Sequence, residues 1–369
     1  MNYKIKDLCE VTSSRRIFAC EYKKEGIPFL RSQEVIEFSQ KGSSTPTIFI
    51  SKERYNEIIN KGLNVPKKGD ILMSAIGANR GYPWHVNIDN FYFKDGNVIW
   101  FRNFSEKCNS KYLTYALSTP KYINLLQSSS EHSAQGAITL DLIKDIEVNI
   151  HDIDMQQHII NTIGSVDKLI EIYQKQIEKI FKIGITKINY SNNKKELIDL
   201  NEFVRFEKGN EVGSLNYSDV TSINHINYIR VGDLLNLSNT YVEKRICNKF
   251  VFENDILIAM DGAPGRNAIG LNGSYSSGLY KIICEDSYKG LVYFELNSDL
   301  NQSIIRDMSQ GTTILHASKS IPYLKTIAIE KNDIEYYGFM FDKLIALKKK
   351  VTLLKKVKEI LLNKYFTNQ

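Results

Sequence analysis

The chain nearly repeats itself, and no other feature limits its fold as strongly. Asp7-Leu8-Cys9-Glu10-Val11 returns as Asp199-Leu200-Asn201-Glu202-Phe203, and Ile27-Pro28-Phe29-Leu30-Arg31 returns as Ile226-Asn227-Tyr228-Ile229-Arg230. Gly69-Asp70-Ile71-Leu72 matches Asn254-Asp255-Ile256-Leu257, and a glycine-rich turn follows each, Gly77-Ala78-Asn79-Arg80-Gly81 in one copy and Gly262-Ala263-Pro264-Gly265-Arg266 in the other. Residues 112–119 then resemble 291–298, Gln135-Gly136 pairs with Gln310-Gly311, and Asp167-Lys168-Leu169-Ile170 recurs unchanged as Asp342-Lys343-Leu344-Ile345. Each match alone is weak, but their shared order marks a duplication. The offset between partners falls from 199 at residues 27 and 226 to 185 at 70 and 255, then holds at 175 from 136 and 311 onward. The join between each globular part and the segment after it is therefore kept. The extra residues of the first copy, near 39–65, read as exchangeable surface loop.

Each copy reads as a mixed α/β (α+β) domain followed by a long helix. Short apolar runs bounded by turn residues predict strands at 70–75, 98–101, 146–150, 256–260, 280–283 and 327–329. A short helix is expected at 111–117, with Ser110 as its N-cap and Pro120 beyond its end, and a counterpart at 290–296. From 154 to 190, Ile159, Ile163, Val166, Ile170, Tyr173, Ile177 and Ile180 recur three and four residues apart, the spacing of a heptad seam. At 1.5 Å per residue that helix is a rod of about 50 Å. A second rod, 333–366, carries Met340, Leu344, Leu347, Val351, Leu354 and Leu361 on its seam. Two matched rods most simply pair antiparallel, with Ile170 and Leu344 buried between them and the domains at opposite ends of a pseudo-twofold dumbbell. The expected domains are 1–152 and 193–331, with spacer helices 153–192 and 332–369. Gly184 falls on the first seam, where a helix-interior glycine marks a bend or a close approach.

Composition narrows the function. Apolar residues at 43%, charged residues at 24% and aromatic residues at 11% describe a globular chain, and the net charge of +6 tolerates a polyanion without requiring one. Five scattered cysteines without a C-x-x-C pair argue against a disulfide framework or a structural zinc, and fit a reducing cytoplasm. Nothing approaches the roughly 20 apolar residues that span a bilayer. No adjacent prolines, no G-x-G and no G-x-x-x-x-G-K-[ST] occur, so the fingerprints of an amino-methyltransferase, a methyl-donor site and a nucleotide phosphate loop are missing. The six histidines include no H-E-x-x-H. Glu21-Tyr22-Lys23 matches half of a metal-dependent nuclease motif, but chance accounts for it in a chain this rich in Glu and Lys.

The duplicated plan, the strand leading into a glycine turn, the Gln-Gly loop before the last strand and the closing helices together resemble the specificity (S) subunit of type I restriction-modification enzymes, over essentially the whole chain. That resemblance implies a non-catalytic DNA-recognition subunit. Each half would hold a target-recognition domain for one part of a bipartite, asymmetric double-stranded DNA site. The antiparallel coiled coil would fix the spacing and dock two methyltransferase (M) subunits, with restriction/motor (R) subunits joining the larger complex. The chain itself would need no cofactor, S-adenosylmethionine and ATP belonging to the partner subunits. A stand-alone DNA-modifying enzyme or nuclease and a coiled-coil adaptor for proteins are the alternatives.

Arginine suits guanine O6/N7 and asparagine suits adenine N6/N7. The candidate DNA-binding residues are therefore Asn79 and Arg80 in one turn and Arg266 and Asn267 after the other, joined by Gln135, Gln310, Thr312 and Thr313 of the Gln-Gly loops. The basic runs 348–350 and 355–356 read as solvated helix faces, and Trp84 as a core residue.

Overall fold

The computed structural model describes residues 1–77, 79–131, 136–234, 240–311 and 315–366. Contacts divide the chain into two compact units, Met1–Glu171 with Leu354–Gln369, and Ile172–Leu353. Among the described residues no helix is long and apolar enough to cross a membrane.

In the first unit a four-stranded antiparallel sheet has the spatial order Glu10–Thr12, Val98–Arg102, Ile71–Ser74, Pro83–His85. The strand Ile71–Ser74 is buried at every position because the sheet is covered on both faces. Ile71 and Met73 enter one core with Ile99 and Phe101, whereas Leu72 enters another with Trp84, Val98 and Trp100. Trp84 is stacked on Phe38 with centroids 4.2 Å apart. Asp70 explains the acid before this strand. Its Oδ2 accepts the Lys67 backbone N–H at 3.0 Å and the Trp100 indole N–H at 2.9 Å, closing the turn that feeds the strand.

Beside this sheet lies a smaller one, Phe49–Ile50, Ile27–Leu30 and Tyr92–Phe93, whose last pair is parallel. Here the insert near 39–65 differs from the surface loop expected. Ser51 Oγ accepts the Arg54 N–H and caps a helix, Lys52–Asn60. Tyr55 and Ile58, three residues apart on one face, fill a core with Phe29, Ile50 and Tyr92.

The short helix spans Ser110–Leu117, and its N-cap is Asn109 rather than Ser110, the Asn109 Oδ1 accepting the Lys111 N–H at 2.9 Å. Pro120 opens the next helix, Pro120–Glu131, where its missing N–H costs nothing. The first long helix, Ile153–Asn192, sends Ile159 and Ile163 fully buried into this unit's core. Leu362, Tyr365 and Phe366, from the end of the second long helix, Lys331–Phe366, join them there. The two helices run in opposite directions in this unit: His158 meets Tyr365, and Asp167 pairs with Lys358 at 2.6 Å. Val166 is buried, while Leu354 and Leu361 are half-buried. Ile170 is also only half-buried, a correction to its expected burial. It lies one turn past Val166 and outside the core that covers Ile159 and Ile163.

The second unit uses the same strand order, with one strand more in its second sheet. One sheet is Arg205–Lys208, Leu279–Ile283, Ile256–Ala259, Asn267–Ala268, and the other is Tyr241–Glu243, His225–Ile229, Gly273–Tyr275, Phe250–Val251. Ile256 and Ile258 face one core, Leu257 and Ala259 the other. Asp255 repeats the role of Asp70, accepting the Phe252 N–H at 3.0 Å. The strand expected at 327–329 is Lys325–Ile327, paired antiparallel with Leu197–Asp199.

Within this unit the long helices also oppose each other, Lys187 Nζ lying 3.3 Å from the Tyr336 ring centroid and Lys195, three residues past the end of the first helix, pairing with Asp333 at 2.5 Å. Leu344 and Val351 are buried, and Tyr173, Ile177 and Leu347 are half-buried. Gly184 marks a close approach: the Phe294 ring, on the short helix Lys289–Leu296, occupies the space a Cβ would take.

Candidate nucleic-acid interface

In both units the buried central strand runs into its glycine turn and then meets the chain returning from the Gln-Gly loop. Ile138 donates its N–H to Ala75 O at 2.9 Å in the first unit, and Ala317 donates to Met260 O at 2.8 Å in the second. The turns themselves require glycine. Gly81 has φ +89° and lies against Leu126, and Gly265 has φ +83° with Gln302 Oε1 2.6 Å from where its Cβ would stand.

A glutamine pins each turn from the helix beneath. Gln127 Nε2 donates to Arg80 O at 3.3 Å. Gln302, on the helix Asp299–Asp307, donates to Gly265 O at 3.0 Å and to Leu296 O at 2.7 Å. Sequence reasoning passed over both residues, although they sit at the offset of 175 that aligned the two Gln-Gly loops.

What each turn displays differs. In the first unit Asn79 is exposed, while Arg80 folds back, its Nη2 donating to Gln127 O at 3.0 Å and its Nη1 to Gly77 O at 3.2 Å. In the second unit Arg266 is half-exposed, and its guanidinium makes no hydrogen bond to a described residue. Asn267 is engaged internally: its Nδ2 donates to Gly265 O and to Asn297 Oδ1, and its Oδ1 accepts from Asn297 Nδ2 at 2.8 Å.

Gln310 is exposed and exchanges two backbone hydrogen bonds with His316, closing a loop whose Leu315 O accepts the Gly262 N–H at 2.8 Å. His316 Nδ1 lies 2.7 Å from Asp261 Oδ1, which ties that loop to the glycine turn a second time. The structure thus brings the Gly262 turn and the Gln310 loop together. Gln135, Thr312 and Thr313 lie outside the described residues.

The basic runs are not uniformly solvated. Lys348 is threaded under Gly270, its Nζ donating to Ile269 O at 3.2 Å, and burial pushes its ammonium pKa down. Lys349 pairs with Glu253 at 2.5 Å, whereas Lys355 and Lys356 are exposed. Glu21 is structural, pairing with Arg54 at 2.6 Å and accepting the Phe18 N–H. Among the described residues no cluster of three metal-ligating side chains occurs.

Residues 1–182 match the family described as the type I restriction modification DNA specificity domain. A putative type I restriction enzyme specificity subunit of Haemophilus influenzae is 27% identical over 164 residues, which are 44% of this chain and 39% of that protein. The chain thus spans about two fifths of the length of that curated relative. Among solved structures, the S subunit of a type I restriction-modification system from M. genitalium superposes with a TM-score of 0.53 at 16% identity, over 100% of this chain and 96% of that one. This likeness is one of fold. The HsdS subunit from Thermoanaerobacter tengcongensis aligns over the same shares with a TM-score of 0.38 at 13% identity.

Proposed function

We propose that the whole chain, whose residues 1–182 match the type I restriction modification DNA specificity domain, is the DNA-recognition subunit of such a system, reading a bipartite asymmetric site. The observation that carries this reading is the pair of glutamine-pinned glycine turns. The same frame presents Asn79 in one unit and Arg266 in the other. One mount with different displayed side chains is what reading two different half-sites requires. Arg266 is the favoured guanine reader and Asn79 the favoured adenine reader, each with its polar atoms open to a base edge. Arg80 and Asn267, engaged internally, hold their turns.

In this reading the long helices are a coiled-coil spacer relating the two readers by a pseudo-twofold axis, each addressing its own stretch of duplex. Two methyltransferase subunits and restriction subunits supply the chemistry, with S-adenosylmethionine and ATP bound to them. The chain positions and does not catalyse.

The test is co-expression with methyltransferase subunits followed by mapping of methylated positions on genomic DNA. A split motif that disappears when this chain is omitted supports the reading. Methylation or cleavage by the purified chain alone would replace it with the stand-alone enzyme, and absence of any salt-dependent DNA affinity in the complex would favour the protein adaptor.

A further inference from the structure

Each unit holds a second duplicated device beside its glycine turn. Arg31 and Arg230 directly follow the matching strands Ile27–Leu30 and His225–Ile229, and each is bound to an acid three residues on. Arg31 donates from Nη2 to Glu34 Oε1 at 2.6 Å and from Nε to Glu34 Oε2 at 3.3 Å, and its own backbone N–H reaches that same Oε2 at 2.8 Å. Arg230 donates from Nε to Asp233 Oδ2 at 3.2 Å and from its backbone N–H to the same oxygen at 2.9 Å. Glu34 is buried and Asp233 half-buried, with side chains 4% and 14% exposed, while the arginines are open at 38% and 44%. The carboxylate therefore fixes a guanidinium that stays partly open to solvent, Arg31 Nη2 also reaching Thr47 Oγ1 at 3.4 Å and the Arg230 guanidinium lying 5.5 Å from the Tyr217 ring centroid. Arg31 Nη1 and both Nη atoms of Arg230 make no hydrogen bond to a described residue.

Both arginines line clefts. That of the first unit is about 580 Å³ and includes Glu34, Glu37 and Ser44; that of the second is about 450 Å³ and includes Glu211, Asp233 and Asp261. Among the described lining residues of the second cleft three carboxylates face one arginine, so a phosphate is repelled there where a neutral base edge is not. The second cleft takes in Gly262 of its glycine turn, and the first is joined through Ser32 to the end of the strand that runs into its turn. In the first unit Ser32 Oγ and the Ala75 N–H both donate to Asn97 O. In the second, the equivalent acceptor is Gly278 O, bonded by the Met260 N–H, and Val231, Gly262 and Gly278 line the cleft together.

Resting on the DNA-reading function above, we propose that Arg31 and Arg230 are specificity-determining residues, each presenting its guanidinium fork to the O6/N7 edge of a guanine in its own half-site, with Glu34 and Asp233 as positioning residues. A fork held from behind loses less freedom on binding than a free one, which is how a half-exposed arginine gains discrimination.

The experiment selects duplexes from a library with a random central tract, using the full chain co-expressed with its methyltransferase subunits. Wild type is expected to enrich a split motif. Arg31→Met and Arg230→Met keep the aliphatic stem and remove the fork. Each is expected to lose guanine preference at one position of its own half-site, by about tenfold to a hundredfold, with the salt dependence unchanged. Glu34→Gln and Asp233→Asn retain an acceptor for the backbone N–H, so they report on orientation even where a Met variant is unstable; a partial loss at the same position is expected. Uniform weakening of all sequences with a shallower salt slope assigns the arginines to phosphates and overturns the proposal. An unchanged motif overturns it as well. If wild type enriches no split motif, the DNA-reading function falls first and this inference with it, so the two failures are told apart.

Discussion

The short helices Ser110–Leu117 and Lys289–Leu296 fill the same place in the two units and fasten to the first long helix with opposite hardware. In the first unit the carboxylate is on the long helix, and Asp167 Oδ2 accepts the Tyr115 hydroxyl at 2.7 Å while Ala116 fills the wall. In the second unit Phe294 stands where Tyr115 stood, and the carboxylate has moved to the short helix. Glu295 replaces the alanine, fully buried, accepting the Ile327 N–H at 2.8 Å and the Asn192 amide at 3.0 Å. The apolar frame is common to the two units; the polar fasteners differ. Identical sequence is no guide to them either. Asp167 pairs with Tyr115 and Lys358, but its repeat-mate Asp342 is exposed.

Breaking that comparison at Glu295 should give the largest effect. Burial pushes its carboxyl pKa up to about 7, so the folded chain holds a proton that the unfolded chain releases near 4.5. With folded pKa above unfolded, stability from this group is present below about pH 4.5 and is lost as pH rises through 7. Glu295→Gln should remove that slope and raise stability above pH 7 by about 3 kcal/mol at most, read from denaturant melts at pH 5 and pH 8. Parallel curves for the two proteins would show that Glu295 is ionised in the fold.

Asp167→Asn comes next, with a loss of about 2 kcal/mol from a half-buried, doubly bonded carboxylate, whereas Asp342→Asn should change stability by less than about 0.5 kcal/mol. Equal effects from the two substitutions would contradict the different roles of these two identical residues. Gln302→Ala should cost about 1–2 kcal/mol, because two backbone carbonyls lose their donor. Arg80→Ala should cost about 1 kcal/mol of stability by releasing its turn. Arg266→Ala should leave the melting point unchanged and instead relax base preference at one position of the second half-site.

Much of the frame was legible because burial writes itself into periodicity. The continuous run at Ile71–Ser74 announces a strand covered on both faces, and the three-and-four spacing from Ile159 onward announces the rods. The insert helix was passed over because its apolar face is only Tyr55 and Ile58, too short a run to register as periodic. Interactions set by tertiary neighbours were not legible at all. Nothing local in the residues around Glu295 reveals that Ile327 and Asn192 converge on it, and Asn267 reads as a base-reading amide until Asn297 is seen holding both its ends. The site was half visible for the same reason. Glycine turns advertise themselves by composition, but the glutamines that pin them and the acids that hold Arg31 and Arg230 act through space.

The central claim is that two separate readers share one duplicated frame. It is tested most directly by exchanging residues 1–152 for the corresponding domain of a family member with a different motif and sequencing the methylated sites made by the reconstituted complex. The account predicts that one half-site changes while the other half, read by residues 193–331, stays base for base the same. A change in both halves, or in neither, would contradict it.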